Sequence, residues 1–385
     1  MRDFVTRTIR ELPPSGIRKF FDVASEMEGV VSLGVGEPDF ITPWHIREEA
    51  IYSLERRRTM YTSNAGLSEL RSGIGKYMSS QFGLDYDPGS QILVTVGASE
   101  GIDVALRAIV DPGDEVLVIE PCFVSYKPCV TMAGGLPVPV PTSADTGFRV
   151  TATDIAARIT PKTKAIIFSY PNNPTGAILE REELNEIAGL LRDKDIVIIS
   201  DEIYAEMTYG SKHISIASMP GLYEKTIVLS GFSKAYAMTG WRLGYACGPG
   251  ELIGAMTKIH QYVIMCAPTT AQYGGIEALR GGAANVRSMV KEYDARRRFM
   301  LEEFRRMGID CFEARGAFYL FPSIEKFGMT SEEFCGRLLR ESRLAMVPGT
   351  AFGDCGEGFV RCAYAYSIDS IKEALTRLRG FIKGL

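Results

Sequence analysis

The sequence has 385 residues, of which 46% are hydrophobic and 23% are charged, and its formal net charge at pH 7 is -4. This composition is typical of an ordinary folded globular protein, and the charge favours neither nucleic acid nor an anionic membrane as a partner. A single hydrophobic core rarely grows to this length, so we expect a large and a small lobe.

The cysteines and histidines do not indicate a disulfide framework or a metal centre. None of the eight cysteines forms a C-x-x-C pair, and His45, His213 and His260 have no metal-ligand spacing. We therefore expect reduced thiols and no metal. The first residues lack the apolar run of a secretory signal, and no run of about 18 apolar residues occurs. These features predict a cytoplasmic protein without a membrane span.

The predicted elements begin with an N-terminal arm. Residues 16–27 are predicted as a helix, VVSLG as a short strand and GEPDF as a turn. From there to about residue 275, apolar β-branched runs alternate with helical patterns, which is typical of βα units around a largely parallel sheet. The predicted strands are QILVTV (91–96), EVLVIE (115–120), KAIIFSY (164–170), DIVIIS (195–200), TIVLSGF (226–232) and RLGYAC (242–247).

The rest of the chain predicts a smaller α+β lobe. Residues 285–307 have helical spacing and are predicted as a long connecting helix. Strands are predicted in GAFYLFPSI, LAMVPGTAF and GFVRCAYA, interleaved with helices at 331–342 and 368–382. The predicted domains are an arm with part of the small domain, a large domain and a small C-terminal domain, over residues 1–43, 44–280 and 281–385.

Polar clusters follow four of the predicted strands at the point where each strand ends. They are GASEG after ILVTV, PNNPTG after KAIIFSY, DEIY after DIVIIS and GFSK after TIVLS. Ligands collect at the carboxyl ends of strands in an open parallel sheet, because the strand-to-helix loops and the helix N-termini meet there. The four clusters therefore predict one shared site.

Two of these clusters have both a binding and a purely structural interpretation. Small residues at 97–99 let backbone N–H groups approach an anion at a helix N-terminus, although a simple turn with an N-cap serine has the same pattern. PNNPTG is a turn by composition, and its side-chain amides can also donate to an oxygen on a bound ring. Neither cluster alone decides between binding and local structure.

The charged residues indicate which ligand the clusters fit. Asp201 follows an apolar strand, where a carboxylate needs a cationic partner; an acid/base pair with Glu202 and a solvated loop are the alternatives. Lys234 is nucleophilic toward carbonyls if it is buried, and otherwise is an ordinary surface lysine. Arg242 carries a planar fork suited to phosphate. A reactive amine, a phosphate site, a carboxylate that needs a cationic ring and amide donors together describe pyridoxal phosphate.

Longer motifs carry a family resemblance. GEPDF, MYTSNAGLSELR, YPNNPTG, SDEIYAE, SGFSKAYAMTGWRLGYACGP and FVRCAYA follow each other from about residue 30 to the C-terminus. Together they resemble the fold-type-I pyridoxal-phosphate-dependent aminotransferases of class I/II, nearest the prokaryotic aspartate-aminotransferase-like branch with its acetyl-diaminopimelate aminotransferases. The resemblance implies an α/β fold with a large domain on a mostly parallel seven-stranded sheet and a smaller α+β domain.

The resemblance also implies a role for each matching residue. Lys234 would hold the cofactor as a Schiff base, Asp201 would pair with the pyridine nitrogen, and Tyr204 would bond the phenolic ring oxygen. Further cofactor contacts are implied for Asn173 at that oxygen, Phe123 on the ring, and Ala98, Ser99, Arg242 and, from a second subunit of a homodimer, Tyr61 at the phosphate. The substrate α-carboxylate would be held by Arg361, Gly36 and Asn173.

Two departures from the family pattern concern the substrate side chain. VIMCAPTTAQ (263–272) lacks the distal arginine with which animal-type aspartate aminotransferases read a side-chain carboxylate, and Ser99 stands where the prokaryotic branch has a lysine. Strict aspartate specificity is therefore not expected. Arg18 in the arm is the candidate replacement cation, with an ordinary exposed charge as the alternative. Gly231 also stands where many relatives have serine, although related prokaryotic enzymes share the glycine.

The function implied is that of an aminotransferase. It would move an amino group from an L-amino acid to a 2-oxo acid by a ping-pong mechanism through Lys234, and the expected acceptor is 2-oxoglutarate. A carbon–sulfur β-lyase with the same cofactor is the alternative, because elimination can follow the same proton loss. A non-catalytic regulator that binds pyridoxal phosphate is a third reading, disfavoured because Lys234 is present and residues 1–30 are too short for a winged helix-turn-helix.

Overall fold

The computed structural model describes residues 4–14 and 27–385, so most of the predicted arm helix lies outside the described residues. The strands are β1 (Val31–Ser32), β2 (Ile92–Thr95), β3 (Glu115–Glu120), β4 (Leu136–Pro141), β5 (Thr163–Phe168), β6 (Val197–Asp201), β7 (Thr226–Gly231), β8 (Gly244–Cys247), β9 (Tyr319–Leu320), β10 (Leu344–Ala345), β11 (Val347–Pro348) and β12 (Val360–Ala363). The helices in the described ranges are Arg7–Glu11, Trp44–Glu55, Ser68–Phe82, Gly97–Ile109, Tyr126–Met132, Ala152–Ala156, Arg181–Leu191, Gly250–Val263, Thr269–Gly281, Ala283–Arg306, Ser331–Ser342 and Ile368–Lys383.

A seven-stranded sheet lies at the centre of the larger part of the molecule. Its strand order is β2-β8-β7-β6-β5-β3-β4. All neighbouring strands are parallel except β8, which runs antiparallel to both β7 and β2. The predicted mostly parallel sheet is confirmed, and each of the six predicted strand runs overlaps one strand of this sheet.

The seventh strand, β4, was absent from the predicted runs. Its sequence LPVPVP contains Pro137, Pro139 and Pro141, and proline cannot donate a backbone hydrogen bond to a sheet. β4 pairs only with β3 and stands last in the strand order, so one side of its backbone needs no partner. Proline is compatible with a strand at such an edge.

Two smaller sheets lie in the C-terminal part of the chain. β11, β12 and β9 form an antiparallel sheet, and β1 pairs with β10, which brings the segment after the arm to this part. The predicted connecting helix and the two later helices are confirmed at Ala283–Arg306, Ser331–Ser342 and Ile368–Lys383. The predicted domain boundaries at 43 and 280 stay predictions.

Successive side chains of β6 point to opposite faces of the large sheet. Ile198 belongs to one apolar cluster and Ile199 to another, on the opposite face. Asp201 therefore shares the face of Ile199, where Ile102 of the helix Gly97–Ile109 also packs. Glu202 points to the other face, where it bonds His213.

The described residues meet the requirements of neither a membrane-spanning helix nor a metal site. No helix within 4–14 and 27–385 has the length and the apolar character needed to cross a membrane. Within the same ranges, no three or more His, Cys, Asp or Glu side chains are grouped to hold a metal ion. All eight cysteines are free thiols.

Candidate active site

A cavity of about 370 Å³ lies where β5, β6 and β7 end and the helix Gly97–Ile109 begins. Most residues predicted for the site line it, namely Gly36, Ala98, Ser99, Phe123, Asn173, Asp201, Tyr204, Lys234, Arg242 and Arg361. β5, β6 and β7 are parallel neighbours, so the loops that follow them meet at one edge of the sheet. The predicted convergence of the polar clusters follows from this order.

Two predicted site residues do not line this cavity among the described residues. The Tyr61 side chain is 80% exposed and lies away from it. Its predicted role is in the site of a second subunit, and that role stays a prediction. Arg18 lies outside the described residues, so its predicted contact with the substrate also stays a prediction.

Lys234 follows the end of β7 and turns its amine into the cavity. Its Nζ donates to the Gly36 carbonyl oxygen at 2.7 Å and lies 5.9 Å from the centre of the Tyr204 ring. Burial lowers the pKa of Lys234 to about 8, against the opposing effect of the Glu37 charge. A larger fraction of the amine is therefore neutral near pH 7 than for a surface lysine, and the neutral amine is the nucleophile.

Asp201 is a buried carboxylate at the floor of the cavity, with only 5% of its surface exposed. Its Oδ2 accepts from the Tyr126 hydroxyl at 2.8 Å, and its Oδ1 accepts from the Ile203 N–H at 3.2 Å. Burial raises the pKa of Asp201 to about 6, although both hydrogen bonds oppose this shift. A cationic group of a ligand at this carboxylate would offset the penalty of burial.

The first turn of the helix Gly97–Ile109 lies beside the Arg242 guanidinium. Gly97 has φ +72°, and a Cβ on it would lie 2.6 Å from Arg242 Nη2. Gly244 of β8 approaches the same turn, since its Cβ would lie 2.5 Å from the Gly97 carbonyl carbon. Among the described residues, the guanidinium donates only to the Thr239 carbonyl, at 2.8 Å. Arginine and helix N–H groups so placed can hold an anion.

Arg361 reaches the cavity from β12 and is 3% exposed. Its Nη1 donates to Asn173 Oδ1 at 2.8 Å and its Nη2 to the Gly34 carbonyl at 2.5 Å. The rings of Tyr319 and Phe352 cover the guanidinium, with centres 4.5 and 4.7 Å from Cζ. Its Nε is buried without a hydrogen-bond partner in the described part of the chain. A ligand carboxylate is the acceptor that would best satisfy this donor.

Sequence reasoning missed several hydroxyl side chains of the cavity, among them Tyr126, Ser169 and Tyr319. The Tyr126 hydroxyl lies 2.9 Å from Ser169 Oγ as well as beside Asp201. Tyr126 belongs to the PCFVSY motif that predicted Phe123, so that motif was an available signal. For Tyr319 no such signal exists, because its place depends on how the small sheet meets the large one.

Gly231 has a structural explanation in the tight contact between two strands. It ends β7 and pairs with Gly244 of β8. A Cβ on Gly231 would lie 2.9 Å from both the Gly244 Cα and the Leu243 carbonyl oxygen. A serine would therefore push these two strands apart at the edge of the cavity.

The cavity residues fit pyridoxal phosphate and an amino acid. Lys234 is an amine with a lowered pKa, and Asp201 is a buried carboxylate that forms no direct ion pair with any described residue. The helix N-terminus with Arg242 suits the phosphate, and the unpaired Nε of Arg361 suits the α-carboxylate. The fold and the site thus define the class of enzymes that act on amino acids with this cofactor.

Comparisons with known proteins agree with this class. The family model "Aminotransferase class I and II" matches residues 28–378. The Bacillus subtilis protein with the name "Putative aminotransferase YugH" is 52% identical over 99% of each chain, and the aspartate aminotransferase of Pyrococcus abyssi is 44% identical over 96% of each. The crystal structure of the aromatic aminotransferase from Pyrococcus horikoshii OT3 has a TM-score of 0.91 and 42% identity, covering 95% of this chain and 99% of that one.

The chain belongs to the class I and II aminotransferases. It is a pyridoxal-phosphate-dependent transaminase whose substrates are amino acids and 2-oxo acids. The predicted family, fold class, enzyme class and cofactor are confirmed. The two Pyrococcus relatives named above are aminotransferases, which does not favour the carbon–sulfur β-lyase or the non-catalytic regulator.

Proposed function

We propose that this enzyme moves the amino group of aromatic and other neutral L-amino acids to a 2-oxo acid, with 2-oxoglutarate as the acceptor if the predicted Arg18 contact provides the cation for its distal carboxylate. The observation that carries the proposal concerns the described cations of the cavity, Lys234, Arg242 and Arg361. They suit the cofactor aldehyde, the cofactor phosphate and the substrate α-carboxylate, respectively. In the described part of the cavity no further cation remains for the side-chain carboxylate of an acidic donor. Val35 and Ile102 add apolar surface to the lining, which suits a neutral side chain.

The cofactor would be held by groups already placed around the cavity. Pyridoxal phosphate, when bound, supplies an electron-withdrawing ring that takes up the electrons of a bond broken at the substrate Cα. Asp201 would hold a proton on the ring nitrogen, since this pairing offsets the burial of its carboxylate. Tyr204 and Asn173 would donate to the ring oxygen, and Phe123 would cover the ring. The phosphate ligands would be Ala98, Ser99 and Arg242.

Arg361 would bind and orient the substrate α-carboxylate, with Gly36 and Asn173 beside it. Two aromatic rings restrict the Arg361 guanidinium, so a carboxylate on it would be held in one plane. A carboxylate fixed in this way favours loss of the Cα proton over loss of CO₂. Lys234 Nζ, with its pKa of about 8, would accept that proton and deliver it in the next step. Alternation of the two half-reactions would give ping-pong kinetics.

We propose a homodimer in which Tyr61 contributes to the phosphate site of the other subunit. Supporting this, large apolar side chains are exposed on neighbouring segments of the described chain. They include Trp44 (57%), Met60 (81%), Tyr61 (80%), Tyr262 (83%) and Val263 (62%). Asn64 Nδ2 donates to the Met265 carbonyl at 2.7 Å, which ties the stretch after Tyr61 to the stretch after Val263. Large apolar side chains exposed in this way are typical of a protein–protein interface.

We also propose that the enzyme works in the cytoplasm. The support is that all eight cysteines are free thiols in a chain of this length, as is typical of a reducing compartment. Amino acids and 2-oxo acids are the proposed partners, with neither nucleic acid nor membrane.

A half-reaction screen tests the substrate proposal. Each amino acid is added to the purified enzyme with bound cofactor, and the loss of visible absorbance is followed without any 2-oxo acid. We expect aromatic and other neutral donors to convert the cofactor faster than aspartate. Conversion by aspartate alone would contradict the neutral-donor proposal, and conversion by no member of the panel would contradict transamination.

Arg18→Ala tests how the acceptor is recognised. If Arg18 binds the distal carboxylate of 2-oxoglutarate, the variant should lose at least about tenfold in kcat/KM for acidic substrates and little for neutral ones. The measurement compares glutamate and phenylalanine half-reactions in variant and wild type. An equal loss on both substrates would count against this role.

A further inference from the structure

Tyr319 lies between the two groups that would hold the cofactor oxygen and the substrate carboxylate. It is 1% exposed and sits on β9, where it pairs with Ala363 of β12. Arg361 precedes Ala363 by two residues on the same strand, so Arg361 and Tyr319 are diagonal neighbours on one face of the small sheet. Both neighbours of the Tyr319 ring, Tyr204 and Arg361, have a proposed role in binding, whereas no role has been given to the Tyr319 hydroxyl.

The Tyr319 side chain contacts Arg361 of the small sheet and Tyr204, which follows β6 of the large sheet. Its ring face covers the Arg361 guanidinium, and its hydroxyl lies 2.8 Å from the Tyr204 hydroxyl. A Cβ on Gly36 would lie 2.0 Å from this hydroxyl, so the glycine is needed for the ring to reach Tyr204. Within residues 4–14 and 27–385, neither hydroxyl has another hydrogen-bond partner.

With the cofactor bound, the direction of the hydrogen bond between Tyr319 and Tyr204 follows from the number of O–H donors. Each phenol carries one O–H donor. In its proposed role, Tyr204 donates its one O–H proton to the ring oxygen of the cofactor. Towards Tyr319 it can then act only as a hydrogen-bond acceptor. The bond between the two hydroxyls would thus run from Tyr319 to Tyr204.

We propose that Tyr319 is a positioning residue that donates its proton to Tyr204 and thereby aims the Tyr204 proton at the cofactor ring oxygen. The inference rests on the proposed role of Tyr204. A phenol that accepts one hydrogen bond becomes a stronger donor in another, so the two bonds reinforce each other. Tyr319 would in this way tie the acid–base behaviour of the bound cofactor to the strand pair that carries Arg361.

The test is a pH titration of the visible absorbance of the bound cofactor. Donation to the ring oxygen stabilises its deprotonated form, so loss of donation raises the midpoint of the titration. We expect a rise of about 1–2 pH units for Tyr204→Phe and of roughly 0.3–0.7 unit for Tyr319→Phe. In the double variant, Tyr319→Phe should add almost nothing to the Tyr204→Phe shift, because it acts through Tyr204.

A second readout is the affinity of the apoprotein for pyridoxal phosphate. Above the wild-type midpoint, the dissociation constant of Tyr319→Phe should rise roughly two- to fivefold, in line with the shift. Tyr364→Phe is the matched control, since Tyr364 is also buried near the small sheet and its hydroxyl donates to the Ala317 carbonyl at 3.1 Å. The control should leave both quantities unchanged.

The outcomes separate this inference from the role of Tyr204. An unchanged midpoint in Tyr319→Phe, with a raised one in Tyr204→Phe, overturns the positioning role. An equal effect of Tyr319→Phe with and without Tyr204 also overturns it, since the effect would not pass through that hydroxyl. An unchanged midpoint in Tyr204→Phe instead contradicts the proposed contact of Tyr204 with the ring oxygen.

Discussion

Burial moves the pKa values of two cavity side chains toward neutrality, from opposite sides. It raises the pKa of Asp201 to about 6 and lowers the pKa of Lys234 to about 8. In both cases the charged form is disfavoured, so both residues should destabilise the folded apoprotein near pH 7. Active-site groups are commonly retained at such a cost in stability.

Asp201→Asn should stabilise the protein from which the cofactor has been removed. The folded-state pKa of about 6 exceeds the usual 3.8, so the folded protein binds this proton more tightly than the unfolded chain. The penalty is absent below pH 3.8 and complete once the pH has risen through 6. We expect the variant to gain about 1–3 kcal/mol in the free energy of unfolding at pH 7.5 and little at pH 4, by urea unfolding.

The control for this prediction is Asp193→Asn, because Asp193 is exposed and should contribute little at either pH. With cofactor present, Asp201→Asn should lose roughly 100-fold or more in kcat, since the ring nitrogen loses its partner. Equal unfolding free energies of Asp201→Asn and wild type at pH 7.5 would contradict the burial cost.

Lys234→Ala should abolish turnover and retain the fold. Lys234 is the only lysine that lines the cavity in the described ranges, so the covalent link to the cofactor should be lost with it. Borohydride reduction followed by peptide mass spectrometry should find the cofactor on the Lys234 peptide of the wild type and on none in the variant. Lys372→Ala, at an exposed position, should keep both the link and the activity. Finding the reduced cofactor on another lysine would contradict the assignment of Lys234 as the cofactor-binding lysine.

At the scale of single elements, Gly97 joins a strand to the helix that would bind the phosphate. Gly97 and Gly83 both have left-handed φ, +72° and +66°, but only at Gly97 would a Cβ meet the Arg242 guanidinium. Because both positions have a left-handed backbone, Gly97→Ala and Gly83→Ala should each cost about 1 kcal/mol in stability. Only Gly97→Ala should weaken pyridoxal phosphate, by about tenfold, while unphosphorylated pyridoxal is hardly affected. Similar losses for both ligands would contradict a phosphate site at this turn.

Helices were predicted better than the short strands in the C-terminal part of the chain. The helix predicted at 331–342 is observed at Ser331–Ser342, where the Thr330 side chain accepts from the Glu333 N–H. GAFYLFPSI, predicted as one strand, forms only the two-residue strand Tyr319–Leu320 with isolated bridges at Gly316 and Ser323, and LAMVPGTAF divides into β10 and β11 in different sheets. Helix hydrogen bonds and caps are local in sequence, whereas the extent of a strand depends on a partner elsewhere in the chain.

At the scale of the whole molecule, the proposed dimer predicts that subunits can complement each other. Lys234→Ala and Tyr61→Ala should each lower activity strongly when alone. In mixed dimers, a subunit with its own Lys234 receives an intact Tyr61 from the other subunit. An equal mixture, unfolded and refolded together, should regain about a quarter of wild-type activity, because half of the dimers carry one complete site. No recovery, with mixed dimers present by mass spectrometry, would place Tyr61 within its own subunit.

Much of the candidate site could be predicted because it belongs to short motifs at strand ends. GASEG, PNNPTG, DEIY and GFSK each bring a site residue to the same edge, and a parallel sheet collects such edges. Tyr319 could not be predicted, because its hydroxyl reaches Tyr204 only through the contact of the small sheet with the large one. The orphaned Nε of Arg361 is likewise visible only when its neighbours are placed.

The sequence by itself determined the alternation of strands and helices, the family and the residues at the strand ends, because these depend on periodicity and on motifs that are contiguous in the chain. Only the tertiary structure decided that Asp201 and Lys234 are buried deeply enough to shift their pKa values. It also decided that β4 is an edge strand and that Tyr319 touches Tyr204 and Arg361. Burial, edge position and contacts between separate sheets arise from residues far apart in sequence, so no local pattern encodes them.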